Sequence, residues 1–223
     1  MRKLELSGIS FIDSLIHTGR LKAVLTAAFC CFVILAPLQD SRAENEIPNF
    51  DRVRVLAKPR LIADAELTDQ NGKPFRISEL RGRVAFVFFG FTHCPDICPM
   101  AMNNFRQLER SGLVDNEQTV FVLISVDGER DTPEALKKFL ATYSSDFIGL
   151  TGDPRDVKPI AKQFSVAFFK GNESPDKYQV SHSPQAFVLD RSGQLRAEIY
   201  SASTEAVAGV ANALLEGGAG ATE

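Results

Sequence analysis

Cys94 and Cys98 stand with three residues between them in the stretch His93-Cys94-Pro95-Asp96-Ile97-Cys98-Pro99. Two sulfurs that converge on one point support two kinds of chemistry. They cycle between dithiol and disulfide, or they hold a soft metal ion as thiolates. The gap is one residue wider than in the usual redox pair, yet it still lets both sulfurs meet. Inert or structural thiols are the plain alternative, and the flanking sequence argues against it. Val84 to Phe89 form a run of six apolar residues, rich in β-branched and aromatic types, that reads as a strand buried on both faces. Gly90 and Phe91 end it, and a helical pattern runs from about Pro99 to Arg110. The cysteines therefore occupy a turn between a buried strand and a helix start. Free N–H groups and the positive end of the helix dipole there are expected to lower a thiol pKa.

The N-terminal sequence bears on the redox setting. Residues 23–38 are an uncharged apolar run, with Arg20 and Lys22 on their N-terminal side. That asymmetry marks an export segment. Ser41-Arg42-Ala43 offers small residues ahead of a cut before Glu44, which makes residues 1–43 a cleaved signal. If uncut, the same residues are a membrane anchor, although the run is short for a span of about 20 residues. Cys30 and Cys31 lie inside the run as small apolar residues, so Cys94 and Cys98 are the only thiols of residues 44–223. His17 precedes the run and is excluded from any site. In an oxidising compartment such a pair tends to the disulfide unless maintained. Residues 44–223 hold 20 Lys/Arg against 25 Asp/Glu, a net of −5. Nothing basic remains to suggest nucleic-acid binding.

The elements that must position the cysteines follow in order. Residues 44–60, with Pro48, Pro59 and scattered charges, read as a linker. Leu61 to Leu67 suggests a strand, and Asn71-Gly72 marks a hairpin tip. Thr119 to Val126 is a second continuous apolar strand. Asp131-x-x-Glu134 with Pro133 opens a helix, and Asp153 to Phe164 reads as another. A short strand is expected at 147–150, an irregular loop at 165–180, a strand pair at 186–190 and 195–201, and a helix from Thr204 to Leu215. Residues 217–223 read as a flexible tail. The βαβαβ order, closed by a hairpin and a helix, describes an α/β fold with a central mixed sheet flanked by helices. The long segment before His182 suits a functional lid.

Three stretches together carry a resemblance to the Sco/SenC family of copper-binding cytochrome c oxidase assembly proteins. They are Phe-Thr-His-Cys-Pro-Asp-Ile-Cys-Pro at 91–99, Ile-Ser-Val-Asp-Gly-Glu-Arg-Asp-Thr-Pro-Glu at 124–134, and Val-Ser-His-Ser-Pro-Gln-Ala-Phe-Val-Leu-Asp-Arg-Ser-Gly at 180–193. The resemblance runs from about Leu61 to Leu215 and implies a thioredoxin-like copper-binding domain over residues 61–216. It implies copper as the metal and Cys94, Cys98 and His182 as its ligands. In a thioredoxin-type fold the loop that holds His182 faces the cysteine turn. Copper(I) prefers thiolates and copper(II) also accepts imidazole, so such a site holds both states.

Asp96, inside the loop, is expected to accept backbone N–H bonds and tune the thiols; Asp127 matches an acidic position of the family's second motif and reads either as a supporting or docking carboxylate or as a plain strand-end cap. His93 is the rival ligand, at a position that varies in the family. Ser181 stands where an acidic residue is common, so a hydrogen bond to the imidazole is expected to be lost. Gly128 replaces a frequent proline, which suggests a looser loop, and Pro184 is a candidate cis-proline. The function implied is a periplasmic copper chaperone. Its partners would be a copper-accepting oxidase subunit and other periplasmic copper or thiol-redox proteins. Its contact with the inner membrane would be only through residues 23–38, if they stay uncut. The alternative is a thiol-disulfide reductase that uses Cys94 and Cys98 to keep a copper site's cysteines reduced. A thiol peroxidase would need one activated cysteine with a threonine and an arginine, for which Thr92 and Arg81 are available.

Overall fold

The computed structural model describes residues 47–171 and 180–217. Its centre is β4 (Val84–Gly90), every residue of which is buried. The apolar run has no polar face, so both its faces must be covered, and two parallel neighbours extend it. β5 (Thr119–Ser125) pairs with β4 from Val84↔Thr119 to Gly90↔Ser125, and β6 (Ile148–Thr151) pairs with β5. The antiparallel strands β9 (Ala186–Leu189) and β10 (Gln194–Ile199) continue the sheet on the other side of β4. The hairpin of β2 (Glu66–Asp69) and β3 (Pro74–Arg76) adds to β6 at the far edge. Gly72 supplies the left-handed φ of 76° that the Asn-Gly turn requires.

Residues 53–60, read above as linker, join Leu61 in β1 (Val53–Leu61), the edge strand beside β10. Its register breaks between Val55 and Arg60, around Pro59, which cannot donate to a ladder. Most of its side chains are exposed and several are charged, so no apolar alternation announces it. Eight strands thus form a mixed sheet in the order β1-β10-β9-β4-β5-β6-β2-β3.

Helix α1 (Ile97–Arg110) starts two residues earlier than the pattern at Pro99 suggests, so Cys98 lies in its first turn. It covers one face of β4, where Phe105 meets Phe86 and Phe121. α2 (Pro133–Leu140) is capped by Thr132, which accepts from the Ala135 N–H, and packs Leu136 and Leu140 onto Gly149 of β6. α3 (Pro154–Gln163) is capped by Asp153, and Phe164 behind it meets Phe89 and Phe187 on the opposite face of the sheet. α4 (Thr204–Gly217) closes the chain beside α1. Helices on both faces, with phenylalanine as the main aromatic filler, give the α/β arrangement expected.

The segment expected as an irregular loop carries a small ribbon. β7 (Phe168–Lys170) pairs with β8 (Val180–His182) in the register Phe168↔His182. Three-residue strands with few apolar partners are too short for periodicity to mark. Residues 1–43, the start of the linker at 44–46, and the tail at 218–223 lie outside the described residues, as does 172–179 within the expected lid.

Candidate metal centre

β4 delivers its C-terminal end to the cysteine turn, and α1 begins from it. Cys98 is fully buried and Cys94 nearly so, and both are free thiols. β8 brings His182 to the same place from far along the chain, with Nε2 3.3 Å from Cys98 Sγ. The two sulfurs and one imidazole nitrogen all lie within 4.8 Å of one another. The imidazole stands edge-on to two phenylalanine rings, Phe88 and Phe91, each with its centroid 5.7 Å away.

Three local features prepare these donors. Burial holds the His182 pKa below its usual value, against a raising hydrogen bond from Nδ1 to the Ser183 carbonyl. The ring is therefore neutral at neutral pH. A carbonyl can only accept, so Nδ1 carries the proton and is 3.0 Å from Ser183 O. That leaves the Nε2 lone pair directed at the sulfurs. The Ser183 carbonyl thus supplies the orienting bond expected to be lost with the family's acidic residue, and Ser181 is exposed and takes no part.

Gly90 supplies the room. A Cβ there would stand 2.8 Å from Cys98 Sγ, 2.9 Å from Phe88 Cε1 and 3.2 Å from Leu123 Cδ1. Any side chain would press the thiol out of place. The third feature corrects an expectation. Cys98 has its pKa raised, because burial outweighs a lowering hydrogen bond from the Phe91 backbone; the neighbouring Cys94 and the charge of Asp131 push it further up. The helix start does not produce a free thiolate at Cys98. Soft donors in a dry setting, with one lone pair already free and the Cys98 thiol proton to displace, fit a thiophilic ion that binds with proton release.

The carboxylates behave differently from what their positions suggest. Asp96 holds the N-cap position of α1 but is exposed, and its side chain makes no cap hydrogen bond; at ψ −75° it does not have cap geometry. Asp127 is buried and ion-paired with Arg130, and its backbone N–H bonds Ser125 Oγ at 3.0 Å. Asp131, read as part of a helix opening, is instead fully buried beneath the cysteine turn. It accepts from Thr92 N–H at 3.0 Å, Thr92 Oγ1 at 2.6 Å and Ser125 Oγ at 2.7 Å. The signal for it was in the sequence: Ser125 is a polar residue inside an apolar strand, and a buried hydroxyl needs a partner.

His93 lies on this side of the turn, with Nδ1 3.0 Å from Thr92 Oγ1 and 3.7 Å from Asp131. Gly128 does not loosen its loop, because a Cβ there would meet the Gly152 carbonyl oxygen at 2.0 Å; close backbone approach requires glycine. No cis peptide occurs among the described residues, so Pro184 is trans, and it lines an apolar groove beside Ile97 and Met100. Arg81 precedes β4 while the cysteines follow it, about 20 Å apart along seven strand residues. Thr92 and Arg81 are therefore not brought together as a peroxidase site would need.

Comparison with known proteins bears on the same residues. The SCO1/SenC sequence profile matches residues 54–215. A candidate copper-binding protein from Stutzerimonas stutzeri is 36% identical over 185 residues, covering 82% of this chain and 88% of its own length. Among solved structures, Bradyrhizobium japonicum ScoI with copper bound superposes with a TM-score of 0.63 at 30% identity, covering 70% of this chain and 98% of its own. BsSco, described with a disulfide switch and as a member of the Sco family of cytochrome c oxidase assembly proteins, has a TM-score of 0.59 at 25% identity, covering 73% and 96%.

Proposed function

The chain belongs to the SCO1/SenC family and has its thioredoxin-like fold, and from that premise we propose that it is an exported copper chaperone. It binds copper through Cys94, Cys98 and His182 and supports assembly of the copper centre of cytochrome c oxidase. The observation that carries this is the convergence of two buried sulfurs and one neutral imidazole lone pair within 4.8 Å. Two thiolates satisfy copper(I), and the added nitrogen satisfies copper(II), so one site accepts the ion in either state. The apolar run at 23–38 supports export, and in this reading the domain works in the periplasm. Among the described residues no helix is long and apolar enough to cross a membrane. The acceptor in this reading is a copper-binding oxidase subunit, with other periplasmic copper or thiol-redox proteins as further partners.

One observation favours a second reading. The same two sulfurs are free thiols and close neighbours, which is also what a thiol-disulfide reductase needs. His182 separates the two, since thiol exchange does not use a third ligand. Copper(II) held by two sulfurs and one nitrogen gives a strong sulfur-to-copper charge-transfer absorption. In His182→Ala that band should collapse and copper(II) affinity should fall by well over tenfold, about 1.4 kcal/mol or more. Copper(I) affinity should be largely kept, and the disulfide should form and reduce as in the parent. A parent that binds copper weakly in both states, yet reduces disulfides readily, would support the reductase instead.

A further inference from the structure

Asp131 has a place in the site that the ligand set does not explain. It is fully buried, and its three side-chain donors, the N–H and hydroxyl of Thr92 and the hydroxyl of Ser125, are all neutral. Thr92 lies two residues before Cys94. Ser125 is the register partner of Gly90, whose Cα faces Cys98 Sγ. The carboxylate is thus fixed behind the cysteine turn from both sides. Among the described residues the one basic side chain within 4 Å of it is His93, with Nδ1 at 3.7 Å on a ring with 54% of its side chain exposed. Asp127 next to it is balanced by the Arg130 guanidinium. A buried charge solvated by neutral donors keeps its field in the low-dielectric interior, where Coulomb interactions are weakly screened.

We propose that Asp131 biases copper held by Cys94, Cys98 and His182 toward the copper(II) state. The reason is charge balance, and it rests on the copper-binding reading above. Two thiolates and a neutral imidazole sum to −2. With copper(II) the site is neutral; with copper(I), after one electron is gained, it is −1. A fixed negative charge nearby opposes the added electron and leaves the neutral state unaffected to first order. Asp131 touches no ligand atom and acts through the field alone.

The test measures both affinities of the purified protein by chelator competition. Asp131→Asn keeps the shape and removes the charge. The ratio of copper(II) to copper(I) dissociation constants should rise at least about tenfold, which equals a midpoint increase of at least about 59 mV for one electron. Thr92→Val removes the hydroxyl that bonds Asp131 and His93 Nδ1 but keeps the charge, and should leave that ratio within about threefold of the parent. His93→Lys places a permanent positive charge beside the carboxylate and should raise the ratio in the same direction as Asp131→Asn. If Asp131→Asn does not fold, His93→Lys decides alone. A parallel loss of both affinities, or an unchanged ratio in both charge variants, overturns the inference and leaves Asp131 a structural clamp. A parent whose copper binding survives Cys98→Ser would instead sink the ligand assignment on which it rests.

Discussion

The cysteine turn has a trio of potential ligands on each side. One is Cys94, Cys98 and His182; the other is His93, Asp127 and Asp131, whose donor atoms also lie within 4.8 Å of one another. By residue type alone, the second would suit a hard cation as well as the first suits a soft one. Their surroundings separate them. The carboxylates already have partners: Asp127 has Arg130, and Asp131 has three hydroxyl or amide donors. A cation there would have to displace a guanidinium and break a buried network, at a cost of several hydrogen bonds to charged groups. The first trio has only weak internal contacts, one of them the 3.3 Å approach of sulfur and nitrogen. Closeness brings six donors together, and spare lone pairs decide which three can ligate.

The largest effect expected is at Cys98. Cys98→Ser replaces a soft donor by a hard one inside a dry pocket, so copper affinity should fall at least about a hundredfold, about 2.7 kcal/mol. Competition against a chelator of known strength would measure it. If Cys98→Ser keeps its copper while Asp127→Asn loses it, the two trios have been assigned the wrong way round.

Gly90→Ala probes the frame that keeps the first trio open. The new methyl would overlap Cys98 Sγ, a Phe88 ring carbon and a Leu123 methyl. Overpacking of this kind costs about 1–3 kcal/mol, visible as a lower unfolding midpoint in denaturant. Copper binding should weaken as well, because the displaced sulfur is a ligand. Unchanged stability and unchanged copper affinity together would mean that the turn relaxes freely and that the pocket is not preorganised.

How far the sequence carries this picture depends on the range of the cause. β4 and β5 are legible because an unbroken apolar run must be buried on both faces, and the hairpin tip is legible because Asn-Gly specifies a left-handed turn. The family resemblance, not spacing, points to His182, since Cys98 and His182 lie 84 residues apart. β1 is hidden because a charged edge strand needs no apolar alternation. Asp131 looks like a helix opening because its true partners, Thr92 and Ser125, come from two other elements. The raised Cys98 pKa is hidden for a similar reason: the helix dipole is a local feature, whereas burial is set by every element that packs around the sulfur. Local rules identify the turn, and tertiary packing then sets what the thiol in it can do.

The smallest effect expected is at His93, and it tests the comparison from the side that should be silent. His93 adjoins Cys94 in sequence, which makes it a natural rival to His182. In the structure its ring is more than half exposed and turned toward Thr92 Oγ1 and Asp131 rather than toward the sulfurs. His93→Ala removes one contact to the Thr92 hydroxyl, whose hydrogen bond to Asp131 remains. Exposed polar contacts of this kind contribute little, so stability should change by no more than about 0.5 kcal/mol. Copper(I) and copper(II) affinities should each stay within about threefold of the parent, about 0.7 kcal/mol, and the charge-transfer band should keep its position. Band position is the sharper measure, because it reports the donor set directly. A shifted band in His93→Ala together with an unshifted one in His182→Ala would put the ligand nitrogen on the carboxylate side of the turn. The two trios would then share one metal site, and separation by available lone pairs would fail.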